Sequence, residues 1–175
     1  MKRRIQPHLR LGEGDVEEVV FISGDPNRVP LIASRMKDAS ELAHYRGFLS
    51  YRAFTPKGVP VTVTTSGIGT PSTHIALEEV TTLGAKCIIR VGTCGGVHPK
   101  VNSGDVVVPY AAVRDELTST NYAPIAFPAA ASPDVYSALY AEIQKLLPRK
   151  RVHTGICWTS DIFYELRESD RLALW

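Results

Sequence analysis

Short apolar runs, each stopped by glycine, proline or both, set the pattern of this chain. Val19-Val20-Phe21-Ile22-Ser23 has the composition of a buried strand. Gly24-Asp25-Pro26-Asn27-Arg28 stops it. Pro26 fits the first turn of a helix and Asp25 can cap it, which predicts a helix over residues 29–36. Residues 48–54 and 59–65 read as strands joined by the hairpin residues Pro56-Lys57-Gly58. Ser66-Gly67-Ile68-Gly69-Thr70-Pro71-Ser72 ends the second of these. The next helix carries Ile75, Ala76, Glu79, Val80 and Leu83 on a mixed apolar face and stops at Gly84. Residues 87–91 and 104–110 are the next strands, and 115–132 a loop rich in Ala, Pro, Ser and Thr. Residues 133–147 form a helix with Val135, Leu139, Ile143 and Leu147 on one stripe. Residues 152–158 are the last strand.

This alternation predicts an α/β fold over residues 1–175. It is read as a single domain with a mixed, mostly parallel sheet, flanked by helices and containing at least one hairpin. Ligands in such sheets bind beyond the carboxyl ends of strands. Three strands end in glycine-rich turns there, at Gly24, at Gly67 and Gly69, and at Gly92 and Gly95. Two of these turns carry an arginine, Arg28 and Arg90.

Bulk composition narrows the partners. A net charge of +2, from 20 basic and 18 acidic residues, gives no basis for a nucleic-acid or membrane partner. No apolar run approaches the roughly 20 residues of a spanning helix, and Lys2-Arg3-Arg4 leads into no signal-like apolar stretch. The three cysteines, Cys87, Cys94 and Cys157, read as reduced thiols of a cytoplasmic protein. The histidines are scattered, so no metal site is expected.

The glycine turns each admit two readings. "SGIGTPS" is either a tight strand-to-helix turn capped by Thr70 or Ser72, or part of a dinucleotide loop that has Ser72 where a third glycine belongs. Arg28 in "GDPNR" is solvated or pairs with Glu13 or Asp15, or it meets a ligand. Arg90 in "RVGTCGG" closes an apolar strand, where a charge is costly unless paired. Either a core carboxylate pairs it, or Arg90, the Thr93 hydroxyl and the turn's N–H groups hold a phosphate-sized dianion. In "SDIFY", Phe163 and Tyr164 start a capped helix or stack on a flat heterocycle.

Taken in order, "GDPNR", "YRGFLSY", "GIGTPS", "RVGTCGG" and "TSDIFY" resemble the nucleoside phosphorylase family. That family includes hexameric purine nucleoside phosphorylase, uridine phosphorylase and archaeal methylthioadenosine phosphorylase. The resemblance spans residues 7–164 and implies a phosphorylase/hydrolase-like fold. It also implies phosphorolysis of a nucleoside to free base and ribose 1-phosphate, with inorganic phosphate as co-substrate and no cofactor. Gly24, Arg28, Arg90 and Thr93 resemble the phosphate site within one subunit, with Val91 and Gly92 supplying backbone. Arg46 resembles an arginine that reaches phosphate across a dimer interface, and His8 the histidine given to a neighbour's ribose 5′-hydroxyl. Cys94, Gly95 and Phe163 match positions lining base or sugar. A homo-oligomer follows, built from dimers that share active sites, with a hexamer as a further level. Three arginines suit a phosphate nucleophile; a nucleosidase using water would not need them.

The chain departs from the family at its end. A Met-Glu segment that holds the ribose hydroxyls and a later Ser-Asp that protonates the base are expected beyond Trp175. Ser169-Asp170 comes too soon and lacks the preceding strand. The expectation is therefore a C-terminally shortened member, slowed about 10²–10⁴-fold without its acid, or one that only binds phosphate and nucleoside. A missing last strand would also leave apolar sheet surface uncovered. Purine or methylthio-purine nucleosides are favoured over uridine, because no Gln–Arg pair follows "SDIFY".

Overall fold

The computed structural model describes residues 4–164. The chain divides between Gly95 and Gly96 into two compact units. The first holds β1 (Val19–Ser23), α1 (Arg28–Ala33), β2 (Lys37–Tyr45), β3 (Phe48–Phe54), β4 (Pro60–Thr65), α2 (Thr70–Thr82) and β5 (Cys87–Arg90). Its sheet runs in the order β2-β3-β4-β1-β5. β1 lies parallel to both β4 and β5, while β2-β3 and β3-β4 are antiparallel. After β1 the chain builds one side of it, then crosses through α2 to the other side. The carboxyl end of β1 is thus a topological switch point, where open α/β sheets leave a crevice.

Alternation along β1 divides the core between two faces. Val20 and Ile22 pack with Leu9, Leu11, Val16, Phe48 and, from α2, Ala76 and Val80. Phe21 joins the opposite cluster around Val29 and Ala33 of α1 and Val63 of β4. Each fully buried aliphatic side chain contributes about 1.5–3 kcal/mol. The central strand β4 also buries hydroxyls, and each is bonded. Thr62 Oγ1 accepts the Glu17 N–H at 2.9 Å, Thr64 shares a hydrogen bond with Ser50 at 2.7 Å, and Thr65 Oγ1 accepts the Leu49 N–H at 3.1 Å.

The second unit contains β6 (Val106–Asp115), a 3₁₀ turn (Thr118–Asn121), β7 (Ala129–Ala130), α3 (Pro133–Leu146), a second 3₁₀ turn (Arg149–Arg151) and β8 (Val152–Ser160), with sheet order β7-β6-β8. β6 and β8 are parallel; β7 is antiparallel to β6.

Several elements differ from their expected bounds. β2 was not expected at all: "KDASELAHY" is mostly exposed and bears no clean alternation, because it is an edge strand held by backbone pairing to β3. α1 starts at Arg28 and ends by Ala33, and Asp25 does not cap it. The Asp25 carboxylate instead accepts the Asn27 N–H at 2.9 Å, shaping the preceding turn. Neither Thr70 nor Ser72 caps α2, whose N-cap is Gly69. The loop expected over 115–132 begins later and is ordered by Arg114. Its guanidinium donates to the carbonyls of Ala123 (2.8 Å), Pro124 (2.7 Å) and Phe127 (3.0 Å) and to Ser119 Oγ (2.8 Å).

Candidate active site

Three strand ends meet at the switch point. A Cβ built on Gly24, just past β1, would stand 3.3 Å from the carbonyl oxygen of Gly67, just past β4. It would stand 3.5 Å from Nη2 of Arg90, the last residue of β5. Gly24 therefore lets the β4 end and the Arg90 guanidinium approach β1 closely, where a side chain would make a tight 3.3 Å contact. A Cβ on Gly92 would collide with Nη1 of Arg90, so that guanidinium lies folded over the glycine turn. Gly67 has φ 72° and packs directly on the Ser72 side chain. The Val91 N–H donates to the Ile22 carbonyl at 2.8 Å, which carries the β1-β5 register into the turn.

Arg28 joins this group from the start of α1. Its Nη2 lies 3.5 Å from Thr93 Oγ1, and its Nε 3.9 Å from Asp25, not from Glu13 or Asp15. Both contacts are long for hydrogen bonds. Arg90 is exposed, and among the described residues no carboxylate pairs with it. The structure thus brings Gly24, Arg28, Arg90, Val91, Gly92 and Thr93 together at one sheet edge. Cys94 and Gly95 follow directly in the same exposed, irregular segment. The arrangement presents two guanidinium groups, a hydroxyl and glycine-rich backbone: chemistry suited to an oxyanion.

Arg46 and His8 make their contacts elsewhere in the first unit. Arg46 occupies the β2-β3 turn with φ 51°, followed by Gly47 at φ 80°. Its guanidinium carbon lies 5.6 Å from the centroid of the Tyr45 ring, and that of Arg10 lies 5.2 Å from it. Arg46, by hydrogen bond and then by charge, holds the exposed Tyr45 phenol below the usual tyrosine range; Arg10 adds to this. Two residues before Arg10, the His8 ring Nδ1 stands 2.6 Å from Oε1 of Glu79 on α2.

Glu79 is buried, and sequence reasoning placed it only on an apolar helix face. A carboxylate between Ala76 and Val80 on that face was the available signal. No sequence pattern marks Tyr45 or Arg10 either. Phe163 lies in the second unit, highly exposed, its ring edge-to-face with Tyr164 at 5.0 Å. Thr159 and Ser160 of "TSDIFY" belong to β8 itself, and Ser160 Oγ accepts the Ile162 N–H at 3.2 Å. Ser169-Asp170 lies outside the described residues.

A phosphorylase superfamily model matches residues 18–172. The chain belongs to the phosphorylase superfamily. It is 43% identical over 162 residues to a uridine phosphorylase of Thermococcus kodakarensis, covering 91% of this chain and 57% of that protein. It is 39% identical to the uridine phosphorylase of Escherichia coli, covering 92% of this chain and 63% of the relative. A guanosine phosphorylase of Halorubrum lacusprofundi is 36% identical, with 94% and 66% covered. Among solved structures, purine nucleoside phosphorylase from Toxoplasma gondii in complex with immucillin-H superposes with a TM-score of 0.89 at 43% identity. That match covers 96% of this chain and 67% of the other, and it shows the phosphorylase-like α/β fold expected from the sequence. This superfamily member therefore spans 57–66% of the length of these three relatives.

Proposed function

We propose that this chain binds inorganic phosphate and a nucleoside, and supplies the phosphate half of a phosphorolysis that yields free base and ribose 1-phosphate. The observation that carries this reading is the meeting of Gly24, Arg28, Arg90 and Thr93 at the switch point, beside the Gly67 carbonyl. Phosphorolysis passes through a ribosyl cation-like state. Guanidinium groups that fix a phosphate dianion against C1′ supply positioning and electrostatic stabilisation together. Arg46 and His8 come from a second copy in this reading, Arg46 to the phosphate and His8 to the sugar. Cys94 and Gly95 line the nucleoside.

A purine-type nucleoside is the preferred substrate, since no Gln–Arg pair suited to a pyrimidine edge follows "SDIFY". Uridine is the second reading, favoured by the names of the relatives at 43% and 39% identity. Calorimetry with inorganic phosphate tests the site: Arg90→Ala is expected to weaken binding about tenfold or more, the scale of one lost charge-assisted hydrogen-bond pair. Unchanged phosphate affinity in that variant would refute the site. Phosphate-dependent release of base from inosine, guanosine, methylthioadenosine and uridine separates the substrate readings.

A further inference from the structure

Glu79 makes more contacts than packing requires. Its carboxylate is buried on α2, yet it accepts the backbone N–H of Leu9 at 2.7 Å and that of His8 at 3.0 Å, besides meeting His8 Nδ1 at 2.6 Å. A carboxylate only accepts, so Nδ1 must carry the proton it shares. In a neutral imidazole the other nitrogen is then a bare acceptor, and the bond made by one nitrogen decides the role of the other. The backbone bonds fix where the ring stands; the Nδ1 bond fixes which way it turns. The side chain of His8 is 35% exposed, and among the described residues Nε2 has no hydrogen-bond partner.

We propose that Glu79 is a positioning residue that locks His8 as a hydrogen-bond acceptor, and so selects nucleosides with a free 5′-hydroxyl over those with a 5′-alkylthio group. This rests on the reading of His8 as the residue facing a neighbour's sugar 5′ position. A hydroxyl donates to a bare imidazole nitrogen; a thioether has no proton to donate. The geometry therefore disfavours methylthioadenosine within the purine-type class.

Nitrogen-15 NMR of His8 in its neutral form tests the lock without any variant. The expected spectrum has a protonated Nδ1 and an unprotonated Nε2. A ring protonated mainly on Nε2 would overturn the proposal. In Glu79→Gln the amide cannot accept at both oxygen positions, and the tautomer preference is expected to relax. Calorimetry then compares inosine and uridine with their 5′-deoxy counterparts, phosphate present. The wild-type preference for the hydroxyl is expected to be about five- to tenfold, the worth of one neutral hydrogen bond, and to fall to near unity in both Glu79→Gln and His8→Ala. A merely structural role for Glu79 would weaken both members of each pair equally, and that result would refute the selection. A locked tautomer with no preference in the wild type would also refute it, and would locate the failure in the reading of His8 rather than in Glu79.

Discussion

Arg46 sits where a hairpin asks for asparagine. Tyr45 pairs with Phe48, so Arg46 and Gly47 form a two-residue connection with φ 51° and 80°. Such turns need left-handed backbone at both positions and favour Asn-Gly. A side chain with a Cβ costs roughly 1–2 kcal/mol there, and asparagine bears this best. The strain is explained if the turn exists to present a guanidinium. Arg46→Asn is therefore expected to raise the unfolding free energy by about 0.5–1 kcal/mol in urea while weakening phosphate binding. Gly67 makes the opposite case. Its φ of 72° and its packing on Ser72 leave no room for a methyl group. Gly67→Ala is expected to cost about 1–3 kcal/mol of stability by the same denaturation measurement. Stability within 0.5 kcal/mol of wild type (about the scatter of neutral surface changes) would show that the β4-α2 turn relaxes freely.

Elements in the second unit are fastened by one carboxylate. Asp105, in the turn before β6, accepts the Asn102 N–H at 2.9 Å, His153 Nε2 of β8 at 2.9 Å and Arg151 Nε at 3.3 Å. These bonds, the Asn102 one first, outweigh burial and lower the Asp105 carboxyl from 3.8 to about 2. A depressed folded-state pKa stabilises the fold in full above about 3.8 and loses that contribution as pH falls toward 2. Urea titrations across that window are expected to show wild-type stability falling with acid. Asp105→Asn should start lower and lose less there; parallel curves for the two would contradict the assignment. The sequence could not show this fastening, because the Arg151 and His153 partners are 46 and 48 residues away. It could show β1, β3, β4 and α3, whose apolar runs or stripes meet clear turn residues. Gly24, Arg28, Arg90 and Thr93 were legible for a related reason: strand ends in a parallel sheet share one edge, so glycine and arginine at those ends must cluster. β2 was illegible because an edge strand needs only backbone bonds, and Glu79 because a carboxylate's partner on a distant segment leaves no local periodicity.

At the scale of the whole molecule, the first unit carries two sets of functional groups. Gly24, Arg28, Arg90 and Thr93 form one; the other is Arg46 and Arg10 around Tyr45, with His8, on the same segment as Arg10, tied to α2 through Glu79. Among the described residues no hydrogen bond or ion pair links Arg46 or His8 to Arg28 or Arg90. In the proposed assembly each phosphate site takes Arg28 and Arg90 from one copy and Arg46 from the other. That division makes a sharp prediction. Arg90→Ala and Arg46→Ala each damage every site in their own homo-oligomer. In a mixed dimer one site carries both changes and the other carries neither. Random exchange of equal amounts through a two-fold interface should therefore restore about one quarter of the sites. Unfolding the two variants together, refolding them and counting phosphate sites by calorimetry measures this directly. Recovery near that fraction requires sharing between copies. No recovery in a sample shown by mass spectrometry to contain mixed dimers would place Arg46 and Arg90 in the same subunit's site.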